Sequence, residues 1–266
     1  NFLAEQGSAT RDRFHIATKA GIDRVEGGKG FNNAPDYLRT CLEQSLKRLQ
    51  TEYVDLFYVH RRDTDFEIEE VTQTLGQFVK EGKVRSIGFS EIAPNSLRRA
   101  AAVHPIAAVQ SEYSLQTRQP ELGLVQTCAE LGTTLVAFSP VGRSLLTDRP
   151  IDPKIVPSLP FLGQNPRFQP DALRRNVVKS DGFRALAADM GIPAATLALA
   201  WLLHQGDHVV AIPGTRRVAH FKEYLAAPQV RLSPTDIAAI ERVLPVGWAY
   251  GDRYSVAQWQ GIERYC

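Results

Sequence analysis

Nowhere in this chain of 266 residues do apolar residues run for the ~18 positions that a membrane-spanning helix needs. No basic-then-apolar signal segment opens it either. Charge of one sign is also lacking: 31 basic and 29 acidic residues are well mixed and leave a net charge of +2. That balance offers no footprint for nucleic acid or a membrane surface. Cysteine is scarce and odd in number, with Cys41, Cys128 and Cys266 far apart. Core thiols in a reducing cytoplasm are therefore expected, not a disulfide framework or a metal site. His204 and His208 stand four apart, but Gly206 between them breaks the helix that would align them, so no zinc site is expected there. No Gly-x-Gly-x-x-Gly follows a strand pattern, which argues against a Rossmann fold.

What is present is alternation. Hydrophobic residues make up 44% of the chain, enough for the core of one large α/β domain over 1–266. Six short apolar segments, near 13–19, 54–60, 84–90, 107–113, 133–139 and 208–212, read as strands buried on both faces. Between them lie helical patterns. Residues 34–50 place Tyr37, Leu38, Cys41, Leu42, Leu46 and Leu49 on one stripe, and 68–80 repeats the period. Helices are also expected near 182–190 and 194–204, and after the start signal Ser233-Pro234-Thr235-Asp236. Repeated strand–helix units mean a parallel sheet. Polar residues at the ends of several strands (Lys19, His60, Ser90, Gln110 and Glu112) favour a closed (β/α)8 TIM barrel, whose strand C-termini share one mouth. Such a barrel needs eight strands, so about two strand–helix units are expected upstream of Asn1.

Residues 143–175 carry six prolines, Pro150, Pro153, Pro157, Pro160, Pro166 and Pro170. This long connection reads either as a pocket-shaping loop or as a Pro-stiffened surface excursion. The C-terminal segment 245–266 is placed near the substrate mouth. Its Trp248, Tyr250, Tyr254 and Trp259 either line an aromatic pocket or pack against the barrel.

Six segments in order resemble the aldo-keto reductase family, most closely its bacterial branch: Ile16-Ala17-Thr18-Lys19, Tyr58-Val59-His60-Arg61-Arg62-Asp63, Gly82 to Glu91, Gln110-Ser111-Glu112-Tyr113-Ser114, Phe138-Ser139-Pro140-Val141-Gly142-Arg143 and Ile212-Pro213-Gly214-Thr215-Arg216-Arg217. They cover the whole chain. The resemblance implies a (β/α)8 barrel that binds NADPH without a Rossmann domain. It also implies an oxidoreductase that reduces aldehydes or ketones, small carbonyl substrates, to alcohols by hydride transfer. Of the four residues that the family sets around the carbonyl, the resemblance matches Lys19 and His60 as catalytic. The lysine lowers the pKa of an acid tyrosine, and the histidine hydrogen-bonds the substrate oxygen. The family's aspartate and tyrosine precede the lysine strand, and by this resemblance lie upstream of Asn1. The resemblance gives Ser90 and Gln110 to the nicotinamide carboxamide and Phe138 to the nicotinamide face. Without it, Phe138 reads as core packing. Ser139, Val141, Gly142 and Arg143 match the pyrophosphate loop. Gly214, Thr215, Arg217 and Glu223 match the adenosine end, where Arg217 beside a helix start suits a 2′-phosphate. His220 stands where many relatives have Arg, and Tyr224 where Asn often contacts adenine. Arg216 and Arg217 also read as solvated helix-start charges.

Two further readings stand beside carbonyl reduction. One is a nonenzymatic NADPH-binding sensor or scaffold of the same fold. The other takes Lys19 as the Schiff-base amine of a barrel aldolase, in which Gln110, Phe138 and Arg217 have no role.

Overall fold

The computed structural model describes residues 5–23 and 30–265. The expectations for residues 1–4 and for Cys266 lie outside them. Cα proximity divides the chain into two compact units. The first holds Asn1–Gln110, Gln126–Thr134 and Gly261–Cys266; the second holds Ser111–Val125 and Leu135–Gln260. Among the described residues no single helix is long and apolar enough to cross a membrane.

The fold is α/β. Strands β1 (Ala17–Ala20), β2 (Val54–Val59), β3 (Val84–Ser90), β4 (Ala108–Glu112), β5 (Thr134–Phe138) and β6 (Val209–Ile212) run in sheet order β1-β2-β3-β4-β5-β6. β1 through β4 pair in parallel, as do β5 and β6. The helices between them are α1 (Pro35–Leu49), α2 (Ile68–Lys80), α3 (Pro94–Ala101), α4 (Leu124–Leu131), α5 (Pro170–Asp189), α6 (Ala194–Leu203), α7 (Val218–Ala226) and α8 (Pro234–Val243). Parallel neighbours need such crossovers, so the alternation in the sequence becomes the sheet order directly.

Register decides what the first unit presents. Lys19 pairs with Tyr58, Tyr58 with Gly88, and Gly88 with Ala108; two residues on, Ser90 pairs with Gln110. Side chains alternate along a strand, so Lys19, Tyr58, Gly88, Ser90, Ala108 and Gln110 lie on one face. The opposite face takes helices. α1 starts with Pro35 in its first turn, buries Leu38, Leu42 and Leu46, and stops at Gln50 in the left-handed region (φ 54°). α2 opens on a Glu67–Glu70 capping box and buries Ile68, Val71, Leu75 and Phe78. Phe78 meets Phe57 of β2 edge-on, with ring centroids 6.1 Å apart.

Two boundaries differ from the sequence reading by several residues, each for a local reason. β1 begins at Ala17, not near 13, because the Ile16 amide donates to the Asp55 carboxylate (2.8 Å) rather than entering the ladder. It also runs one residue past Lys19, to Ala20. α5 begins at Pro170, ahead of the expected loop end at 175, since the fixed φ of proline suits a first helical turn. The expected helix near 182–190 is the second half of α5. Its inward stripe contains Asn176 and Ser180 among Leu173, Phe183 and Ala187, which hides the apolar period in the first half. Asn176 earns its burial by donating to the carbonyls of Arg167 and Tyr250 (both 3.0 Å).

Gly88 is the tightest position in the first unit. A Cβ there would lie 2.6 Å from the Ala108 carbonyl oxygen and 2.7 Å from a Tyr58 ring carbon. Neither the sheet backbone nor a fully packed ring can yield. Gly88→Ala should therefore destabilise the protein by about 1–3 kcal/mol, read as a lower urea midpoint at unchanged slope. An unchanged midpoint would show that Tyr58 does not lie across Gly88.

Candidate active site

In the first unit the Lys19 ammonium donates to Gln110 Oε1 at 2.5 Å and lies 5.5 Å from the centroid of the Tyr58 ring. Burial, and next the positive charge of Arg61, lower its pKa from 10.5 to about 8. The Arg61 guanidinium is itself held by donating to the His60 carbonyl (2.8 Å). His60 follows β2 directly, and its amide donates to the Ala20 carbonyl at 2.7 Å, which fixes the strand end to β1. Tyr58 is 2% exposed, and burial pushes its phenol up to about 12, opposed by a hydrogen bond with Gln110. Tyr58 therefore keeps its proton through the neutral range and serves as a platform under Lys19, not as a ready acid.

Ser90 closes β3, and its Oγ is buried with no hydrogen-bond partner. Leaving a buried hydroxyl unsatisfied costs ~1–3 kcal/mol, so such a group needs a reason. The next residue, Glu91, takes a positive φ of 56° and donates its amide to the Gln110 carbonyl (2.9 Å). An amine, an imidazole, an orphaned hydroxyl and an amide thus come from four neighbouring strand ends. The structure joins Lys19 and Gln110 directly, a contact that strand-end reasoning did not foresee. Adjacent residues in a register cannot be read from one strand at a time.

The second unit carries the other candidates. Phe138 ends β5 half-buried, opposite Ile212. After it the backbone turns sharply: Ser139, Gly142, Arg143 and Ser144 all have positive φ, from 51° to 83°. A Cβ on Gly142 would stand 3.1 Å from Gln116 Oε1 and 3.2 Å from Leu146, so this turn needs glycine. Val141 anchors it by packing against Ala195, Leu199 and Ala227. Arg143 bonds Ser139 Oγ (3.3 Å) and the buried Glu112 carboxylate (2.9 Å). Arg167 and Arg253 also approach Glu112, at 3.9 and 3.7 Å, and Thr117 Oγ1 donates to it at 3.2 Å. Burial, partly opposed by Glu112, lowers the Arg167 pKa to about 10; Arg143 and Arg253 push it the same way as burial. The role of Glu112 as a hub for three arginines was missed in the sequence, because its partners are scattered from 143 to 253.

Gly214, Thr215 and Arg217 are exposed just before α7, and Thr215 Oγ1 accepts from the Arg217 amide at 3.2 Å. No side chain caps the α7 N-terminus, where His220 lies in the first turn. Glu223 is anchored through its carbonyl, which accepts from Thr196 Oγ1 (3.0 Å); its neighbour Tyr224 is half-buried, with its phenol pKa raised by burial and then by Glu223. Of the C-terminal aromatics, Trp248 is a packing residue, buried with its indole N–H on the Leu115 carbonyl (2.8 Å). Tyr254 stacks edge-on with Phe161 (6.0 Å) and Trp259 (5.7 Å), while Tyr250 is largely exposed.

The aldo/keto reductase family model matches residues 1–245. A protein of Glycine max named "Probable aldo-keto reductase 1" is 42% identical over 260 residues, spanning 96% of this chain and 72% of the relative. The NADP(+) aldo-keto reductase yakc of Schizosaccharomyces pombe is 38% identical over 249 residues, 92% of this chain and 73% of that protein. Among solved structures, a thermostable aldo-keto reductase in complex with the inhibitor epalrestat superposes with a TM-score of 0.66 at 28% identity, covering 88% of this chain and 72% of that one. The glycerol dehydrogenase of Gluconobacter oxydans gives a TM-score of 0.75 at 25% identity, covering 86% and 72%.

The electrostatics of Lys19 can be checked directly. With 13C at the lysine Cε positions, one NMR resonance of this chain should titrate near pH 8 and vanish in Lys19→Met. Lysine Cε signals that all titrate at their usual pH, about 10.4, would contradict the burial assigned to this amine.

Proposed function

Because this chain belongs to the aldo/keto reductase family, we propose that it reduces aldehydes or ketones to alcohols with NADPH, using Lys19 and His60. The observation that carries this reading is the shared face. Lys19 sits against Gln110, in register with the orphaned Ser90 hydroxyl, at strand ends that also present His60. The residues present fit the cofactor. Ser90 Oγ lacks a partner that a carboxamide supplies, and the Gly142 turn is a close-approach backbone that a side chain would fill. The uncapped α7 N-terminus with Arg217 suits a phosphate. When bound, NADPH supplies the hydride.

Each residue then has a defined task. Ser90 and Gln110 orient the carboxamide and so select the ring face. Phe138 offers a flat apolar surface to the ring. The backbone of Ser139, Val141, Gly142 and Arg143 would hold the pyrophosphate, while Glu112 holds Arg143 in place. Gly214, Thr215, Arg217, His220 and Glu223 take the adenosine end. His60 donates a hydrogen bond to the substrate oxygen and stabilises the charge that grows there. Below about pH 8 Lys19 is an ammonium, and its field favours loss of a proton from the neighbouring acid. The resemblance gives that acid as a tyrosine paired with an aspartate. Neither Tyr58, raised to about 12, nor Tyr113, whose hydroxyl donates to Glu121, replaces it. Cys41 and Cys128 are free thiols, which suits a reducing cytoplasm.

The test is a panel of small aldehydes and ketones with NADPH, followed by oxidation of the cofactor. Turnover supports the reading. NADPH binding without turnover would favour a sensor or scaffold. In the active protein, Lys19→Met should lower kcat by about 10²–10⁴-fold while NADPH affinity stays within a few-fold; unchanged turnover would remove Lys19 from the chemistry. Arg217→Ala should weaken NADPH by ~1.5–3 kcal/mol, about ten- to a hundredfold, and NADH far less. Equal losses for the two would contradict a contact with the 2′-phosphate.

A further inference from the structure

The last described residues, 261–265, belong to the first unit, and they cross the ends of β2 and β3. The Gly261 carbonyl accepts from the Arg62 amide (3.1 Å), just beyond His60. The Glu263 amide donates to the Glu91 carbonyl (2.9 Å), just beyond Ser90. The Glu263 side chain then repeats the link. One carboxylate oxygen accepts from the Ala93 amide (2.8 Å) and the other from Arg62 Nε (3.3 Å). Arg62 is 7% exposed and also donates to the Phe66 carbonyl (2.7 Å), so the loop after β2 is gripped along its length. Gly261 makes the crossing possible. At φ 67°, any Cβ would lie 2.9 Å from the Arg61 Cβ and 3.0 Å from the Phe31 ring.

The β2–β3 ladder ends at the Val59–Phe89 pair and does not itself tie the loop after β2 to the loop after β3. Four hydrogen bonds from a segment remote in sequence do so, and one of them is to a charged partner. We infer that Gly261–Glu263 is a strap that sets the spacing of His60 and Ser90, with Glu263 as its positioning residue. This rests on the proposed reductase function, in which His60 holds the substrate oxygen and Ser90 the nicotinamide carboxamide. The strap would then govern how the carbonyl meets the transferred hydride. NADPH affinity would be little affected, because the 2′-phosphate and pyrophosphate contacts lie elsewhere.

The experiment compares wild type, Glu263→Ala and Glu263→Gln in the full-length protein, with NADPH and NADPH deuterated at the transferred position. Glu263→Ala should lower kcat about tenfold and raise the observed isotope effect, with the NADPH dissociation constant within about threefold. A smaller active fraction would lower kcat but leave the isotope effect unchanged. Glu263→Gln keeps an oxygen for the Ala93 amide and should recover much of the loss. Amide hydrogen exchange gives a readout that needs no turnover. Exchange at Arg62 and Ala93 should speed up in Glu263→Ala, and with it exchange at His60 and Ser90. Faster exchange confined to Arg62 and Ala93, with kcat and isotope effect as in wild type, would overturn the inference. If wild type turns over no carbonyl, the reductase reading falls on its own. The strap is then judged by exchange at His60 and Ser90, where unchanged protection overturns it.

Discussion

The contact on which the first unit's strand-end face depends is that between the Lys19 ammonium and the Gln110 side chain, laid across Tyr58. An ammonium this deeply placed is expensive, as its lowered pKa shows. It is kept there by one amide acceptor and the face of one aromatic ring. The ring can lie flat only because Gly88 has no side chain. A residue valued for its charge on β1 therefore depends on the lack of a side chain on β3. Tyr58 and Gly88 thus decide where the charge sits.

Folding stability is lowered at several of these positions. Lys19 binds its proton less tightly folded than unfolded, so the folded state is disfavoured while Lys19 is charged. That cost is full below about pH 8 and fades as pH rises toward 10.5, where the unfolded chain also releases its proton. The Ser90 hydroxyl is a second cost in the first unit; in the second unit, by itself, the left-handed residues Ser139, Arg143 and Ser144 carry a cost of their own. Unpaired polar groups and strained backbone at the same motifs that resemble a cofactor site are what a surface prepared for a ligand looks like. A core optimised for folding alone would not keep them.

Much of this was legible in the residues. Apolar runs ending at or near Lys19, His60, Ser90 and Gln110 located the strands, because a parallel strand buried on both faces has few polar positions and its ends are among them. The pairing of Lys19 with Gln110 was not legible, since it requires the register of four strands at once. The start of α5 was hidden by Asn176 and Ser180 on its inward stripe, where tertiary hydrogen bonds satisfy polar groups that periodicity counts as exposed. The Glu112 hub and the 261–263 strap were invisible for a related reason. Their partners lie from 31 to about 200 residues away, and no local pattern announces them.

The central claim is that the strand-end face of Lys19, His60, Ser90 and Gln110 is where a nicotinamide carboxamide meets a carbonyl. The most direct measurement is a structure of the full-length protein with NADP(+). The account predicts the carboxamide within hydrogen-bonding distance, about 2.7–3.2 Å, of Ser90 Oγ and the Gln110 side chain, with Gln110 turned from Lys19 to receive it. A nicotinamide bound away from Ser90, or a Ser90 hydroxyl still without a partner in the complex, would contradict it.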